Sequence, residues 1–205
     1  MSLRLTKIDE LTLPDHYRLD NTDECYFIGE YTARVGFSYS ATNDLIQNLK
    51  KPMDRKDRPE WRYKGWAIEQ AARQMREALP PETLGYATFI PVPPSRIKTD
   101  HLYDDRVVQI LHKLGDAVDV RDAVTQTADY DASHGTEVRL GPDELYQLYE
   151  IDMELSEPTP TSLVVVDDVL TTGAHFKAMK RVLNMTFPDV PLIGVFVARR
   201  VPEYA

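Results

Sequence analysis

The sequence predicts an α/β fold, with a mostly parallel sheet flanked by helices. From Tyr86 onward, segments rich in β-branched residues alternate with segments that have helical periodicity. The strand-like segments are continuous apolar runs rather than alternating ones, which is typical of strands covered on both faces. With 205 residues the chain is long enough for one sizeable core, so we expect a single domain over residues 1–205.

The first elements lie between residues 25 and 50. Cys25–Ser40 is rich in aromatic and β-branched residues and predicts one long strand or a hairpin. The segment "TNDLIQNLKK" that follows predicts a short helix with Thr42 or Asn43 as its cap. Its inward face would carry Leu45, Ile46 and Leu49.

A basic, irregular stretch and a helix come next. Lys50–Lys64 holds seven Lys or Arg residues against three acids, with Trp61 and Tyr63 among them. Such a stretch is either a nucleic-acid contact or a solvated lid or packing loop, and the acidity of the whole chain favours the second. Ala67–Leu79 has apolar residues at helical spacing, and Pro80–Pro81 would end that helix.

The second half of the chain carries the alternation that predicts the fold. "YATFIPVPP" predicts a strand that stops at prolines, and "YDDRVVQILHKLGDAV" predicts a helix. Arg121–Pro142 has no clear period and predicts a long exposed loop. The next segment, "DELYQLYEID", predicts a short helix. The chain then gives a strand at "VVVDD", a helix at "AHFKAMKRVLNMTF" and a final strand at "PLIGVFVARR".

Composition excludes several classes of protein. A net charge of −9 and a pI near 5.0 argue against a general nucleic-acid binder or a membrane-surface protein. Cys25 is the single cysteine, so an intrachain disulfide and an all-cysteine zinc site are excluded, and a reducing cytoplasmic setting is expected. Charges interrupt "MSLRLTKIDELTLPD", and no run approaches the ~18 apolar residues of a membrane helix, so we expect neither a signal peptide nor a membrane span.

The stretch "VVVDDVLTTGAH", residues 164–175, carries the chemistry. A helix should begin near Ala174, and the unpaired amides of its first turn suit a phosphate group. Gly173 lets the backbone approach closely, and the hydroxyls of Thr171 and Thr172 add donors. The pattern therefore predicts a phosphate-binding turn directly after a buried strand.

Two adjacent acids, Asp167 and Asp168, precede this turn and would repel a phosphate unless they face another part of the ligand. Carboxylates accept hydrogen bonds well from vicinal hydroxyl groups, and a sugar 5-phosphate offers both a phosphate and a diol. A second strand end, Pro93–Arg96, should lie at the same edge of the sheet. These residues predict one site for a phosphorylated sugar.

The stretch resembles the signature of the type I phosphoribosyltransferases: four hydrophobic residues, two acids, two hydrophobic residues, two small hydroxyl residues, glycine, a spacer and Thr or Ser. His175 departs from it at the last position. The resemblance implies a type I phosphoribosyltransferase-like fold, with Asp167 and Asp168 as catalytic acids on the ribose hydroxyls of phosphoribosyl pyrophosphate (PRPP). It implies a 5-phosphate loop formed by Thr171, Thr172, Gly173, Ala174 and His175.

A weaker match lies upstream. "FIPVPPSRIK" resembles the pyrophosphate-binding segment of the same family, in the form found in its ComF-like branch, and implies that Ser95 and Arg96 approach the pyrophosphate. The chain lacks the zinc-binding cysteines of that branch. The resemblance covers roughly residues 37–200 and is specific only over residues 164–175.

The activity implied by this resemblance is magnesium-dependent transfer of ribose 5-phosphate from PRPP to a nitrogenous base, with release of pyrophosphate. Mg²⁺ would be held by the substrate, with Asp167 and Asp168 contacting it through water. Selectivity for the base would come from a hood formed by the N-terminal extension 1–36, by Arg121–Pro142, or by both. A homodimer is the default expectation.

Other interpretations of these residues stay open. A non-catalytic sensor of PRPP or nucleotides, or a partner module on the same scaffold, would need the same binding residues without turnover. Acids at a strand end also occur in response-regulator receivers, where the pair comes early in the domain, whereas only 37 residues follow Asp168 here. The two acids could also simply cap the end of a strand.

Overall fold

The computed structural model describes residues 3–130 and 140–202. Within them a six-stranded mixed sheet lies between helices, and a two-stranded sheet lies beside it. The strands are β1 (Thr6–Lys7), β2 (Cys25–Thr32), β3 (Thr88–Pro91), β4 (Asp119–Val120), β5 (Val124–Gln126), β6 (Tyr149–Ile151), β7 (Leu163–Leu170) and β8 (Leu192–Val201). The helices are α1 (Ala41–Leu49), α2 (Arg62–Ala78), α3 (Pro81–Tyr86), α4 (Arg106–His112), α5 (Pro142–Leu148) and α6 (Ala174–Thr186), with short 3-10 turns between some of them.

The large sheet has the order β1-β2-β8-β7-β3-β4, and each neighbouring pair is parallel except β1 with β2. From β3 the chain passes through α4 to β4 on one side, whereas from β7 it passes through α6 to β8 on the other. The order therefore reverses between β3 and β7. At such a switch point the carboxyl ends of the strands open a crevice in which ligands bind.

Strand β7 is covered on both faces, as its continuous apolar run predicts. Val164 and Val166 pack in a core with residues of α1, α2 and α4, whereas Leu163 and Val165 pack in a second core with residues of α5 and α6. All four side chains are fully buried. The predicted α/β class with a mostly parallel sheet is confirmed.

The prediction for Cys25–Ser40 is wrong in its extent. Strand β2 ends at Thr32 and pairs with β8 in parallel, so no hairpin forms. The side chain of Asn43 accepts a hydrogen bond from the backbone amide of Thr32 at 3.2 Å and donates one to the backbone carbonyl of Thr32 at 2.8 Å. These two bonds take the place of a neighbouring strand. Ser40, rather than Thr42 or Asn43, caps α1, because its Oγ accepts the Asn43 amide hydrogen at 3.0 Å.

Helix α2 begins at Arg62, five residues earlier than its apolar periodicity indicates. Lys64 occupies an inward position in this extra turn, with its side chain only 3% exposed. Its ammonium donates to the carbonyl groups of Leu49 and Lys51 and to the carboxylate of Asp104. A lysine therefore fills a position where sequence periodicity requires an apolar residue, and the helix start is missed for that reason.

The predicted loop Arg121–Pro142 is partly ordered structure. Val124–Gln126 pairs antiparallel with Tyr149–Ile151, so the residues predicted as the end of a short helix form β6 instead. The side chain of Val124 is fully buried in the core next to α5 and α6, which explains the pairing. Residues 131–139 of the predicted loop lie outside the described residues.

Strand β7 continues through the two acids, which the sequence predicts to end it. Val169 and Leu170 pair with Ala198 and Arg199 of β8, so the acids lie inside a strand that is two residues longer than predicted.

No helix in the part of the chain that the structure describes has the length and apolar character needed to cross a bilayer.

Candidate functional site

A cavity of about 270 Å³ lies at the switch point of the sheet. It is lined by residues that follow β3 and by residues of the β7–α6 junction, so the two predicted strand ends do lie together. The predicted site residues along its wall are Pro93, Pro94, Ser95, Asp167, Asp168, Thr171, Thr172, Ala174 and His175. Of the other predicted residues, Gly173 and Arg96 are not part of the cavity lining formed by residues 3–130 and 140–202.

Gly173 joins β7 to α6 in a left-handed conformation, with φ of +90°. The side chain of Leu19, from the N-terminal extension, packs directly on it: a Cβ at position 173 would lie 2.6 Å from Cγ and Cδ2 of Leu19. Glycine is therefore required both by the turn and by this close contact. The contact places the N-terminal extension against the predicted phosphate loop.

The same N-terminal segment also hydrogen bonds to the loop. The amide of Arg18 donates to the Thr172 carbonyl at 2.9 Å, and Nδ1 of the buried His16 contacts the Thr171 carbonyl. A carbonyl only accepts, so Nδ1 of His16 carries the proton. Burial lowers the pKa of His16 despite this hydrogen bond. The backbone carbonyls of the loop are thus fixed by residues far away in sequence.

His175 has both ring nitrogens in contact with tyrosine hydroxyls. Its Nδ1 lies 2.7 Å from the hydroxyl of Tyr149, and its Nε2 lies 3.2 Å from that of Tyr130. Desolvation, followed by the nearby charge of Lys50, lowers the pKa of His175 to about 4, so the ring is neutral at pH 7. One nitrogen therefore donates and the other accepts. The imidazole meets two tyrosines, whereas its backbone amide lies in the first turn of α6.

Asp168 is 2% exposed and ion-paired through both carboxylate oxygens. Oδ2 lies 2.6 Å from Nε of Arg106, and Oδ1 lies 3.1 Å from Nζ of Lys50. Burial alone would raise the pKa of this carboxyl, but the Arg106 guanidinium and the Lys50 ammonium outweigh it and hold the pKa well below its usual range. Asp168 is therefore an ionised group that two cations already engage.

Asp167 has the opposite electrostatic environment. Its Oδ1 accepts the Asp168 amide hydrogen at 2.7 Å. Burial, followed by the negative charge of Asp168, raises the pKa of Asp167 well above its ordinary value. The two adjacent acids thus differ strongly in their tendency to ionise.

A buried chain of charges extends from Asp168 into α2, and sequence reasoning missed it. Nη1 of Arg106 lies 2.8 Å from Oδ2 of Asp104, which also lies 2.7 Å from Nζ of Lys64. A signal for Arg106 was present, because "YDDR" opens the helix after β3 and therefore lies near the same sheet edge. The segment "NDLIQNLKK", which contains Lys50, predicts a short helix but no contact with the cavity.

Ser95 and Arg96, the predicted pyrophosphate residues, differ in their surroundings. Ser95 lines the cavity, and its carbonyl accepts hydrogen bonds from the Gln126 side chain at 2.7 Å and from the Tyr130 amide at 3.2 Å. Nη1 of Arg96 lies 3.9 Å from Oδ2 of Asp129. Residues 126–130 thus fasten the loop after β3, while the Tyr130 hydroxyl reaches α6.

The cavity offers carboxylate oxygens that suit Mg²⁺ in one particular mode. Mg²⁺ is commonly held by one or two carboxylates together with substrate phosphates. The Asp167 carboxylate at the cavity wall fits that mode, directly or through water. Among the described residues, no three Asp, Glu, His or Cys side chains are grouped so as to hold a metal ion by themselves.

No protein-family model matches the chain, and no curated protein matches it significantly. The interpretation of the site therefore depends on its own chemistry. Two cations, two acids of opposite ionisation tendency and the start of a thirteen-residue helix meet at one cavity. This combination suits a ligand that carries anionic groups as well as hydroxyl groups.

Proposed function

We propose that the protein is a phosphoribosyltransferase, which transfers ribose 5-phosphate from PRPP to a nitrogenous base in a magnesium-dependent reaction and releases pyrophosphate. One observation carries the proposal. The adjacent acids Asp167 and Asp168 and the start of α6 line the same cavity at the switch point of a mostly parallel sheet. The acids suit a ribose diol, and the helix start suits the 5-phosphate.

The 5-phosphate would lie against the β7–α6 junction. Thr171 and Thr172 would donate from their hydroxyl groups, and His175 would donate from its backbone amide in the first helical turn. The Ala174 amide donates to the Thr172 hydroxyl at 3.3 Å and would turn from it to the phosphate. Gly173 contributes through its left-handed turn, which aligns the helix start with the cavity. The His175 imidazole would act through its tyrosine contacts rather than as a cationic phosphate ligand.

The acids would act on the ribose. The nitrogen of the base donates an electron pair to the anomeric carbon, the bond from that carbon to the pyrophosphate oxygen breaks, and the base later loses a proton to water. Asp167 and Asp168 would hold the ribose hydroxyls and stabilise the positive charge that develops on the ring. Mg²⁺ carried by the pyrophosphate would offset the charge of the leaving group. Positioning supplies most of the rate in such a scheme.

Calorimetry tests the proposal directly. Purified protein is titrated with PRPP in the presence of Mg²⁺, beside the double variant Asp167→Asn, Asp168→Asn and the matched control Asp189→Asn, an exposed aspartate outside the cavity. We expect saturable binding by the wild type and the control, and weaker binding in the double variant, which loses both carboxylates that would hold the ribose hydroxyls. Pyrophosphate release with a panel of bases then measures turnover. A folded wild-type protein that does not bind PRPP would refute the proposal.

A second candidate, PRPP binding without turnover, is favoured by two features of the cavity. Asp168 is already engaged by Lys50 and Arg106, and Pro93 and Pro94 supply no amide hydrogens to the loop after β3. A sensor would bind PRPP in calorimetry and leave it intact in every mixture with a base, as measured by mass spectrometry of the recovered ligand. Consumption of PRPP with any base excludes this candidate.

A further inference from the structure

The cation pair at Asp168 has a role beyond neutralising a buried acid. We propose that Lys50 and Arg106 form a binding site for a diphosphate group, which Asp168 occupies as an internal counter-ion until a ligand arrives. Filling the site is an exchange, in which the two cations leave the carboxylate for the diphosphate. Its place in the reaction, as the site of the leaving group, rests on the proposed function; the diphosphate site itself does not.

The side chains of Lys50 and Arg106 are held in different ways. Lys50 follows the end of α1, and its side chain is 41% exposed, so its flexible stem can turn from Asp168 toward the cavity. Arg106 is 18% exposed and is anchored by Asp104, 2.8 Å from its Nη1. A guanidinium has five N–H donors and can therefore hold Asp104 and a second anion at the same time. The Lys50 ammonium can therefore change direction, whereas the Arg106 guanidinium is held by Asp104.

Asp104 is itself held in place. Nζ of Lys64 lies 2.7 Å from Oδ2 of Asp104 and also donates to the carbonyl groups of Leu49 and Lys51, the residues on either side of Lys50. Lys64 therefore fixes both the backbone that carries Lys50 and the carboxylate that directs Arg106. It is a positioning residue, and it brings the two cations to one wall of the cavity.

The loop after β3 gives a reason for this arrangement. A diphosphate at a parallel-sheet edge is usually met by backbone amides, but Pro93 and Pro94 have no amide hydrogen. Two backbone donors are therefore missing from this loop, and the Lys50 and Arg106 cations across the cavity add charged donors that suit a diphosphate.

The charge balance is consistent with the exchange. Asp104 is compensated by Lys64, and Asp105 accepts a hydrogen bond from Nε2 of Gln109 at 2.6 Å. Two positive charges from Lys50 and Arg106 would then face the diphosphate and balance a ligand that enters as its magnesium complex, whereas Asp168 gives up both cations. Asp168, released from its cations, would be a buried carboxylate that accepts hydrogen bonds from hydroxyl groups of the same ligand.

The exchange predicts that a single substitution changes the affinities for two ligands in opposite directions. Asp168→Asn removes the internal competitor for the cations and is expected to tighten binding of inorganic pyrophosphate. The same substitution removes an acceptor for ribose hydroxyls and is expected to weaken binding of ribose 5-phosphate. Removal of a negative charge alone would tighten the binding of both anions, so the opposite signs distinguish the exchange from a merely structural ion pair.

The experiment is calorimetry of the full chain with inorganic pyrophosphate and Mg²⁺. Lys50→Met and Arg106→Lys should each lower the affinity about tenfold or more, as for loss of a charge-assisted hydrogen bond. Asp168→Asn should raise it severalfold. Lys51→Met is the matched control, because the Lys51 ammonium lies 5.6 Å from the Tyr63 ring centroid, away from Asp168, and should leave the affinity unchanged. Circular dichroism verifies that each variant is folded.

The outcomes separate this inference from the proposed function. Unchanged pyrophosphate affinity in Lys50→Met and Arg106→Lys, or weaker affinity in Asp168→Asn, overturns the exchange even if PRPP binds. A wild-type protein that binds pyrophosphate with the expected variant effects but does not bind ribose 5-phosphate or PRPP supports the diphosphate site and refutes the phosphoribosyltransferase proposal. A wild-type protein that does not bind pyrophosphate, with or without Mg²⁺, overturns the diphosphate site.

Discussion

The Nδ1 atom of His175 lies 2.7 Å from the hydroxyl group of Tyr149, and this contact joins the start of α6 to strand β6. The signature that the segment resembles has a Thr or Ser at this position. Here a neutral imidazole meets one tyrosine hydroxyl at each nitrogen, and the second hydroxyl belongs to Tyr130, which also donates its amide to Ser95. His175 therefore connects the two sides of the cavity instead of supplying a small hydroxyl to one of them.

Replacing Tyr149 by Phe should destabilise the protein. The change removes a buried hydrogen bond and leaves Nδ1 of His175 without that partner, so the free energy of unfolding should fall by about 1–3 kcal/mol. Urea unfolding followed by circular dichroism measures it. Tyr86→Phe, at an exposed position on α3, is the control and should stay within about 0.5 kcal/mol of the wild type. A loss in Tyr149→Phe no larger than in the control would contradict the structural role.

Stability should depend on pH through His175. Its pKa is about 4 in the folded protein, against an ordinary value of 6.5 for a solvated histidine, so the unfolded chain binds more protons between these values. The contribution of His175 is fully present above pH 6.5 and is lost as the pH falls toward 4, by at most about 3 kcal/mol. Urea unfolding at several pH values measures the slope. His16, whose pKa is also lowered by burial, adds a slope of the same sign.

A substitution of His175 measures how much of this pH dependence of stability comes from its imidazole. His175→Gln should flatten the decline in stability between pH 6.5 and pH 4 relative to the wild type, whatever its effect at pH 7. His112→Gln, at the exposed end of α4, should leave the decline as it is. Equal slopes in the wild type and in His175→Gln would mean that the imidazole is not held neutral in the folded protein.

Sequence patterns predicted the elements whose signal is local. Helix α6 and strand β7 have strong periodicity or a continuous apolar run, and the convergence of Pro93 with Asp167 followed from the parallel sheet. The end of β2 was missed because the side chain of Asn43, rather than any feature of Cys25–Ser40, satisfies the backbone at Thr32. Its partner strand β8 lies more than 150 residues away in the chain.

The charged part of the cavity could not be predicted for a related reason. In a sequence Lys50, Lys64 and Arg106 are three of 24 basic residues, and a basic residue is solvated by default. Their position at or near the cavity depends on acids from other elements, Asp104 and Asp168, which only the folded chain brings within 2.6–3.1 Å. Ion pairs between distant elements leave no periodic signal in the sequence.

Gly173 should be intolerant of a methyl group. Its φ of +90° disfavours any L side chain, and a Cβ would lie 2.6 Å from the Leu19 side chain, so Gly173→Ala should lower the free energy of unfolding by about 2–4 kcal/mol. Thermal unfolding measures the effect. Gly65→Ala is the control, since nothing lies within 4 Å of its added methyl group inside α2, and it should stabilise by about 0.5–1 kcal/mol. Leu19→Ala in the Gly173→Ala background should recover part of the loss if the contact is responsible.

The buried Lys64 should be needed for stability as well as for position. Lys64→Met keeps the stem of the side chain but removes the ammonium that faces Asp104 and two carbonyl groups, so an acid stays buried with one cation fewer. The free energy of unfolding should fall by about 3 kcal/mol, as for a buried ion pair that loses one partner. Urea unfolding measures this loss against Lys56→Met, an exposed lysine of the same basic stretch, which should change little.

A second substitution distinguishes buried charge from packing as the cause. Asp104→Asn in the Lys64→Met background removes the carboxylate that has lost one of its two cations, so part of the lost stability should return, whereas Asp104→Asn alone should destabilise. If packing of the lysine stem were the main contribution, the two losses would simply add. The same pair of variants should bind magnesium pyrophosphate more weakly than the wild type, because Asp104 and Lys64 together direct Arg106 toward the cavity.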